Sequence, residues 1–187
     1  MKNLKILFIG NSHTYYNDMP QMVRQRAAKD GYGCHVTMLA HGGWFLSQHA
    51  EEREPRFNIL YGGYDYVVLQ ERTHPFAPRE QYLSAVKTLV AWIREAGSTP
   101  VIYETWAKKT EPEVQTYMDR LHREAAEENG ALLAPAGRLW WDYIKSHPEA
   151  ELFYTDGAHA SPDGSRLAAN CIWETIYRDL CEKNGAD

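Results

Sequence analysis

Short apolar runs alternate with longer stretches of helical periodicity along this chain, a pattern that predicts βαβ units built on a parallel sheet. About five strands are expected, over residues 5–9, 35–39, 66–70, 100–103 and 131–133. Between and after them the period changes to that of amphipathic helices, over 20–29, 79–96, 112–129, 139–146 and 162–182. Pro20, Pro112 and Pro162 stand where a first-turn proline is welcome, because the missing N–H has no intrahelical partner there. Gly31, Gly97 and Gly130 each follow a helical stretch, where left-handed backbone suits glycine. The expected fold is α/β, a three-layer sandwich. No repeat or Pro/Ser-rich linker divides the sequence, so residues 1–187 are expected to form one domain.

Composition narrows the function classes. The chain is 44% hydrophobic and 24% charged, as expected of a packed globule. A formal net charge of −5 with no Lys/Arg block lacks the footprint needed to hold phosphate backbones, so nucleic acid is not an expected partner. Cys34, Cys171 and Cys181 are an odd set without Cys-x-x-Cys spacing and read as free thiols in a reducing compartment. The basic N-terminus leads into the apolar run Ile6-Leu7-Phe8-Ile9, shorter than the roughly 7–15 residues of a signal peptide core. No membrane-spanning run follows, and the cytoplasm is the expected compartment. The pattern leaves the oligomeric state open.

In open α/β sheets ligands bind beyond the carboxyl ends of the strands, which directs attention to four segments. The first strand runs into Gly10-Asn11-Ser12-His13-Thr14. Ser12 could merely cap a helix, but Asp18 with Pro20 offers a better helix start, leaving Ser12 in a loop as a candidate nucleophile. Near the C-terminus, Asp156-Gly157-Ala158-His159 sits in a turn before Pro162. There His159 can serve as general base for a serine hydroxyl, and Asp156 can fix its tautomer. After the second strand, Ala40-His41-Gly42-Gly43-Trp44 offers a close-approaching backbone N–H for a developing oxyanion, from Gly43 before Gly42. After the third, Gln70 is a polar amide closing an apolar strand. It can join Ser12 and Gly43 as an oxyanion donor or simply bond nearby loop amides, with Glu71 and Arg72 as rim groups, paired with each other or with substrate.

With those segments in hand the chain resembles the SGNH, or GDSL-like, hydrolases. Gly10-Asn11-Ser12-His13-Thr14 is similar to block I, with Asn11 where many members carry Asp; Asp156-x-x-His159 is similar to block V, and Gly43 to the block II glycine. The Gly-x-Asn-Asp of block III is replaced by Val67-Val68-Leu69-Gln70-Glu71, similar to a subgroup reading Gly-Asn-Ser-x-Thr and Leu-Gln-Glu. The resemblance transfers the block III donor role to Gln70 or, with the loop aligned differently, to His74. It also implies a flavodoxin-like α/β/α sandwich, no cofactor, and an acyl-enzyme route acting on a small-molecule ester of a small alcohol, acetylated sugar or lipid.

Tryptophans at strand ends add a substrate expectation. Trp44 and Trp106 are placed to stack on a sugar ring, while Trp140 and Trp141 lie in a later helix, and core packing is the commoner fate of such residues. Two other function classes compete with the esterase. One is a metal-dependent hydrolase using His13, His41, His74 and His159 with Asp156, although no clustered His spacing supports it. The other is a non-catalytic flavodoxin-like binding module, for which the first loop lacks both glycine-rich phosphate signatures.

Overall fold

Residues 2–185 are described by a computed structural model. Five parallel strands form one sheet in the order β2-β1-β3-β4-β5, with β1 Lys2–Gly10, β2 Tyr32–Ala40, β3 Tyr66–Gln70, β4 Thr99–Tyr103 and β5 Leu132–Ala134. The helices are α1 Ser12–Tyr15, α2 Met19–Lys29, α3 Leu46–Glu51, α4 Arg53–Tyr61, α5 Arg79–Glu95, α6 Val114–Asn129, α7 Ala136–Ser146 and α8 Pro162–Gly185.

Strand alternation distributes the apolar residues to two cores. Leu4, Ile6, Phe8, Tyr66, Val68, Val101 and Tyr103 face one side, where Val23 of α2, Trp140 of α7 and Ile172 of α8 pack on them. Leu7, Ile9, Val67, Leu69 and Ile102 face the other, against Leu46, Ile59, Val86, Leu89 and Leu121 from α3 to α6. The sheet is therefore covered on both faces, and β3 is buried at every residue, as parallel strands flanked by helices must be.

The expected strands are present with shifted ends. β1 and β2 both run longer than their apolar runs, because the two strands go on pairing beyond them, at Lys2 with Tyr32, Asn3 with Gly33, Leu4 with Cys34 and Gly10 with Ala40. Helices α1, α3 and α4 were absent from the sequence expectation, and α7 starts at Ala136 rather than 139. α4 buries little more than Pro55 and Ile59, too narrow an apolar stripe to stand out in a charged stretch. Gly31, Gly97 and Gly130 do take positive φ after their helices. The expected cap at Asp18 is corrected: it precedes α2 in left-handed geometry and its side chain makes no capping bond.

Because β1 is flanked by β2 and β3, the chain crosses to opposite faces of the sheet on leaving β1 and β2. This opens the crevice at the carboxyl end of β1 that such topologies provide.

Candidate active site

Ser12 begins the one-turn helix α1 directly after β1, so it does lie at a helix N-terminus, but Asn11 is the cap: its Oδ1 accepts the His13 N–H at 3.1 Å. Three further bonds fix this turn. Asn11 donates its backbone N–H to Gln70 Oε1 at 2.9 Å, Thr14 donates its hydroxyl to the same oxygen at 2.9 Å, and Asn11 Nδ2 donates to the Trp44 carbonyl at 2.9 Å. One step back, the Gly10 carbonyl lies 2.8 Å from His49 Nε2, which must carry the proton in that bond. Burial holds His49 down at about 4, so the ring is neutral.

The second segment folds over from the far end of the chain. A bridge between Phe153 and Ala160 closes the turn, the Tyr154 N–H reaches the His159 carbonyl at 2.8 Å, and Gly157 takes φ 68 at the tip. Asn17 Nδ2 donates to the Ala160 carbonyl at 3.0 Å and to Ser165 Oγ at 2.8 Å, tying the turn to the chain after α1.

These constraints bring His159 Nε2 to 2.9 Å from Ser12 Oγ and His159 Nδ1 to 2.6 Å from Asp156 Oδ2. A carboxylate can only accept, so Nδ1 carries the proton and Nε2 is left to accept from the Ser12 hydroxyl. Asp156 Oδ1 accepts the backbone N–H groups of Ala158 and His159, each at 2.9 Å. Desolvation pulls the Asp156 carboxyl upward, but the bonds from the His159 ring and these two amides prevail and hold it at about 2. The Tyr16 ring stacks on His159 with centroids 4.1 Å apart, and His13 lies at 4.9 Å. Together these contacts fix the plane of the imidazole.

Ser12 and His159 open onto a small cavity of about 300 Å³ whose wall also includes Gly43, Arg72, Thr73 and His74. Gly43 adopts φ 74, a geometry available to glycine at no steric cost, and so exposes its backbone beside Ser12. As the first residue of α1, Ser12 has an N–H with no intrahelical acceptor. A larger groove, near 940 Å³, runs between α7 and α8 past Leu139, Tyr143 and Arg166, and it contains none of these groups.

Several expectations are corrected by the geometry. Gln70 is buried and offers no donor to the cavity: its Oε1 is the acceptor described above, and its Nε2 donates to the Glu71 carbonyl. Trp106 is fully buried, stacked on Trp140 at 3.8 Å, and its Nε1 donates to the Ala158 carbonyl at 2.9 Å. It therefore supports the Asp156–His159 turn from beneath and presents no face to a ligand. Glu71 and Arg72 are not a rim ion pair. The Glu71 carboxylate is buried and accepts the backbone N–H groups of Arg72 and Leu46, and burial pushes it up to about 8.

Trp44 is not among the residues lining the cavity: it is half-buried, its carbonyl holds Asn11 Nδ2, and its ring stacks on His41 at 4.1 Å. His74 lines the cavity with Nε2 unpartnered among the described residues; burial first, then nearby Lys108, hold it neutral at about 4. His41 lies apart from His13, His74 and His159, against Trp44 and His49, and among the described residues no three His, Cys, Asp or Glu side chains are arranged to hold a metal ion. Tyr16 and Asn17 had no role in the sequence reading, which offered Arg72 only as a rim group. Only the closeness of Tyr16 and Asn17 to the Ser12 motif could have marked them.

No protein-family model and no curated protein sequence matches the chain. Solved structures do. A protein of Slackia heliotrinireducens, assigned as an SGNH hydrolase, is 30% identical over 94% of this chain and 100% of its own, with a TM-score of 0.81. A DUF4886-family protein from Bacteroides uniformis is 18% identical over 93% of this chain and 83% of its own, at TM-score 0.79. An acetylxylan esterase from Geobacillus stearothermophilus is 15% identical over 92% of this chain and 94% of its own, at TM-score 0.74. The last two likenesses are of fold alone.

Proposed function

The chain belongs to the SGNH hydrolase superfamily, and from that premise we propose that it is a serine esterase or deacylase cleaving a carboxylic ester through an acyl-serine intermediate. One observation carries this reading: the unbroken contact from Ser12 Oγ through the His159 ring to Asp156, at 2.9 and 2.6 Å.

In the proposed cycle Ser12 Oγ attacks the ester carbonyl carbon as its proton passes to His159 Nε2. The resulting imidazolium is balanced by Asp156, which is ionised at any pH where the protein would work. The carbonyl π electrons move onto oxygen, and the Ser12 and Gly43 N–H groups receive that charge. Each such donor contributes on the order of 10²–10³ in rate in enzymes where it has been removed. Collapse of the tetrahedral species breaks the bond to the alcohol oxygen, which takes the proton back from His159. A water molecule then repeats the sequence on the acyl-serine and releases the acid.

The cavity of about 300 Å³ suits a small acyl group such as acetyl, and Trp44 beside the Gly43 loop supports an acetylated carbohydrate as the alcohol portion. The test is covalent labelling by a fluorophosphonate together with turnover of p-nitrophenyl acetate. Both should be lost in Ser12→Ala while the circular dichroism spectrum is kept, and activity surviving in that variant would remove Ser12 from the scheme.

A further inference from the structure

Arg72 contributes the only permanently charged side chain among the described residues that line the cavity beside Ser12. It is held in place before any ligand arrives. Its backbone N–H bonds Glu71 Oε1 at 2.6 Å, its Nε–H donates to the His74 carbonyl at 3.1 Å, and its guanidinium lies over the Phe45 ring, 4.7 Å from the centroid. These tethers use the backbone, one edge and one face of the group. Nη1 and Nη2 make no hydrogen bond or ion pair among the described residues.

Neighbouring charge does not neutralise it. The closest carboxyl in sequence, Glu71, is directed to backbone amides, and with its proton retained up to about pH 8 it is largely uncharged under ordinary conditions. Asp156 is committed to His159 and two amides. The other imidazoles on the wall, His13 and His74, are neutral because burial holds them at about 3 and about 4. The cavity therefore presents one fixed positive charge against an otherwise neutral lining. Arg72 is half-buried, and a pre-oriented guanidinium whose Nη1 and Nη2 are unbonded among the described residues matches a carboxylate in charge and in fork geometry.

We infer that Arg72 is a specificity-determining residue that anchors a carboxylate carried by the substrate, so that the preferred ester is an anionic one. The inference deepens the esterase reading and rests on it for the word substrate, but the binding of a carboxylate by Arg72 can be measured without turnover. Because the tethers already restrict the side chain, little ordering cost opposes the contact, and a preference of about tenfold is expected for one charge-assisted, partly exposed pair.

The experiment compares matched esters that differ by one charge. Para-acetoxybenzoate is set against para-acetoxybenzamide to place the carboxylate on the alcohol side, and p-nitrophenyl hemisuccinate against p-nitrophenyl butyrate to place it on the acyl side. In the native protein kcat/KM should favour the anion about tenfold in at least one pair, the preference should shrink with added salt, and in Arg72→Gln the ratio should fall to near one. In parallel, calorimetry measures binding of hydrolysis-resistant para-acetamidobenzoate and para-acetamidobenzamide, and of succinanilate and butyranilide, to the native protein and to Arg72→Gln.

Turnover of neutral esters with no charge preference in either pair, or a preference that survives in Arg72→Gln, overturns the role of Arg72 and leaves the esterase reading standing. Absence of all turnover and of fluorophosphonate labelling would instead remove the esterase reading. The binding comparison would then still decide whether Arg72 selects a carboxylate.

Discussion

Gln70 Oε1 accepts both the Asn11 backbone N–H and the Thr14 hydroxyl at 2.9 Å, so the end of β3 fixes the turn that carries Ser12. Two buried donors converge there, and an apolar residue at position 70 would leave both unpaired. Each orphaned donor costs about 1–3 kcal/mol, and in a chain of this size each kcal/mol lowers Tm by roughly 2–4 °C. Gln70→Leu should therefore lower Tm by several degrees and reduce kcat more than it raises KM. Calorimetry and steady-state kinetics check this together, and an unchanged Tm would show that the clamp contributes nothing. Gly10→Ala should act in the same direction, because its Cβ would stand 2.5 Å from Thr14 Oγ1 and 2.6 Å from Gln70 Oε1.

Asp156 acts on His159 through charge as well as position. Asn at 156 can still accept the Ala158 and His159 amides with its carbonyl oxygen, so the turn is expected to persist. It cannot balance an imidazolium, and its NH₂ facing Nδ1 favours the wrong tautomer. Asp156→Asn should lower kcat by about 10²–10⁴ with secondary structure retained. A rate within a few-fold of native would mean that His159 does not become charged during turnover.

Buried ionisable groups set a stability optimum in pH. His13, His49, His74 and His122 are held at about 3 to about 4, chiefly by burial, against an ordinary 6.5. The unfolded chain thus binds more protons at these positions, and the stability they contribute above pH 6.5 is lost as pH falls through that window. Glu71, raised from 4.5 to about 8 by burial, has the opposite sign: the folded state holds the extra proton, and stability is lost as pH rises from 4.5 to 8. Burial raises Glu104 likewise.

Below pH 6.5 the histidines outnumber the carboxylates, and above it only the carboxylates act. Urea denaturation from pH 4.5 to 8.5 should therefore show maximal stability near pH 6.5. Each unbalanced proton changes stability by about 1.4 kcal/mol per pH unit. Glu71→Gln should flatten the alkaline limb and leave the acid limb in place; an alkaline limb as steep as the native one would exclude Glu71 as its source.

The sheet was legible because central parallel strands such as Tyr66–Gln70 are buried on both faces and must read as apolar runs. The Asp156–His159 pair was legible for a local reason. A three-residue offset in a turn lets one carboxylate oxygen hold the His159 amide while the other meets its ring. Side-chain direction beyond a strand end was not legible. Gln70 and Trp106 stand at the rim in sequence, yet one turns under the Ser12 turn and the other folds down onto Trp140. Nothing local encodes that choice, because the partner atoms come from Asn11, Thr14, Ala158 and α7, far away along the chain. The pairing of adjacent Glu71 and Arg72 side chains fails for the same reason, Glu71 being claimed by the N–H of Leu46.

Trp44 is the residue on which the carbohydrate reading can be separated from loop architecture. Its carbonyl receives Asn11 Nδ2, a bond that Trp44→Ala retains, whereas its ring stacks on His41 and is otherwise partly open. A sugar ring stacked on an indole contributes binding to an acetylated sugar but none to p-nitrophenyl acetate, which has no sugar to place. If the indole is a platform, Trp44→Ala should lower the ratio of kcat/KM for acetylated xylo-oligosaccharide to that for p-nitrophenyl acetate by about tenfold, through KM on the sugar. Equal losses on the two esters would instead trace the effect to the Gly43 loop, and the carbohydrate assignment would then lose its only support among these side chains.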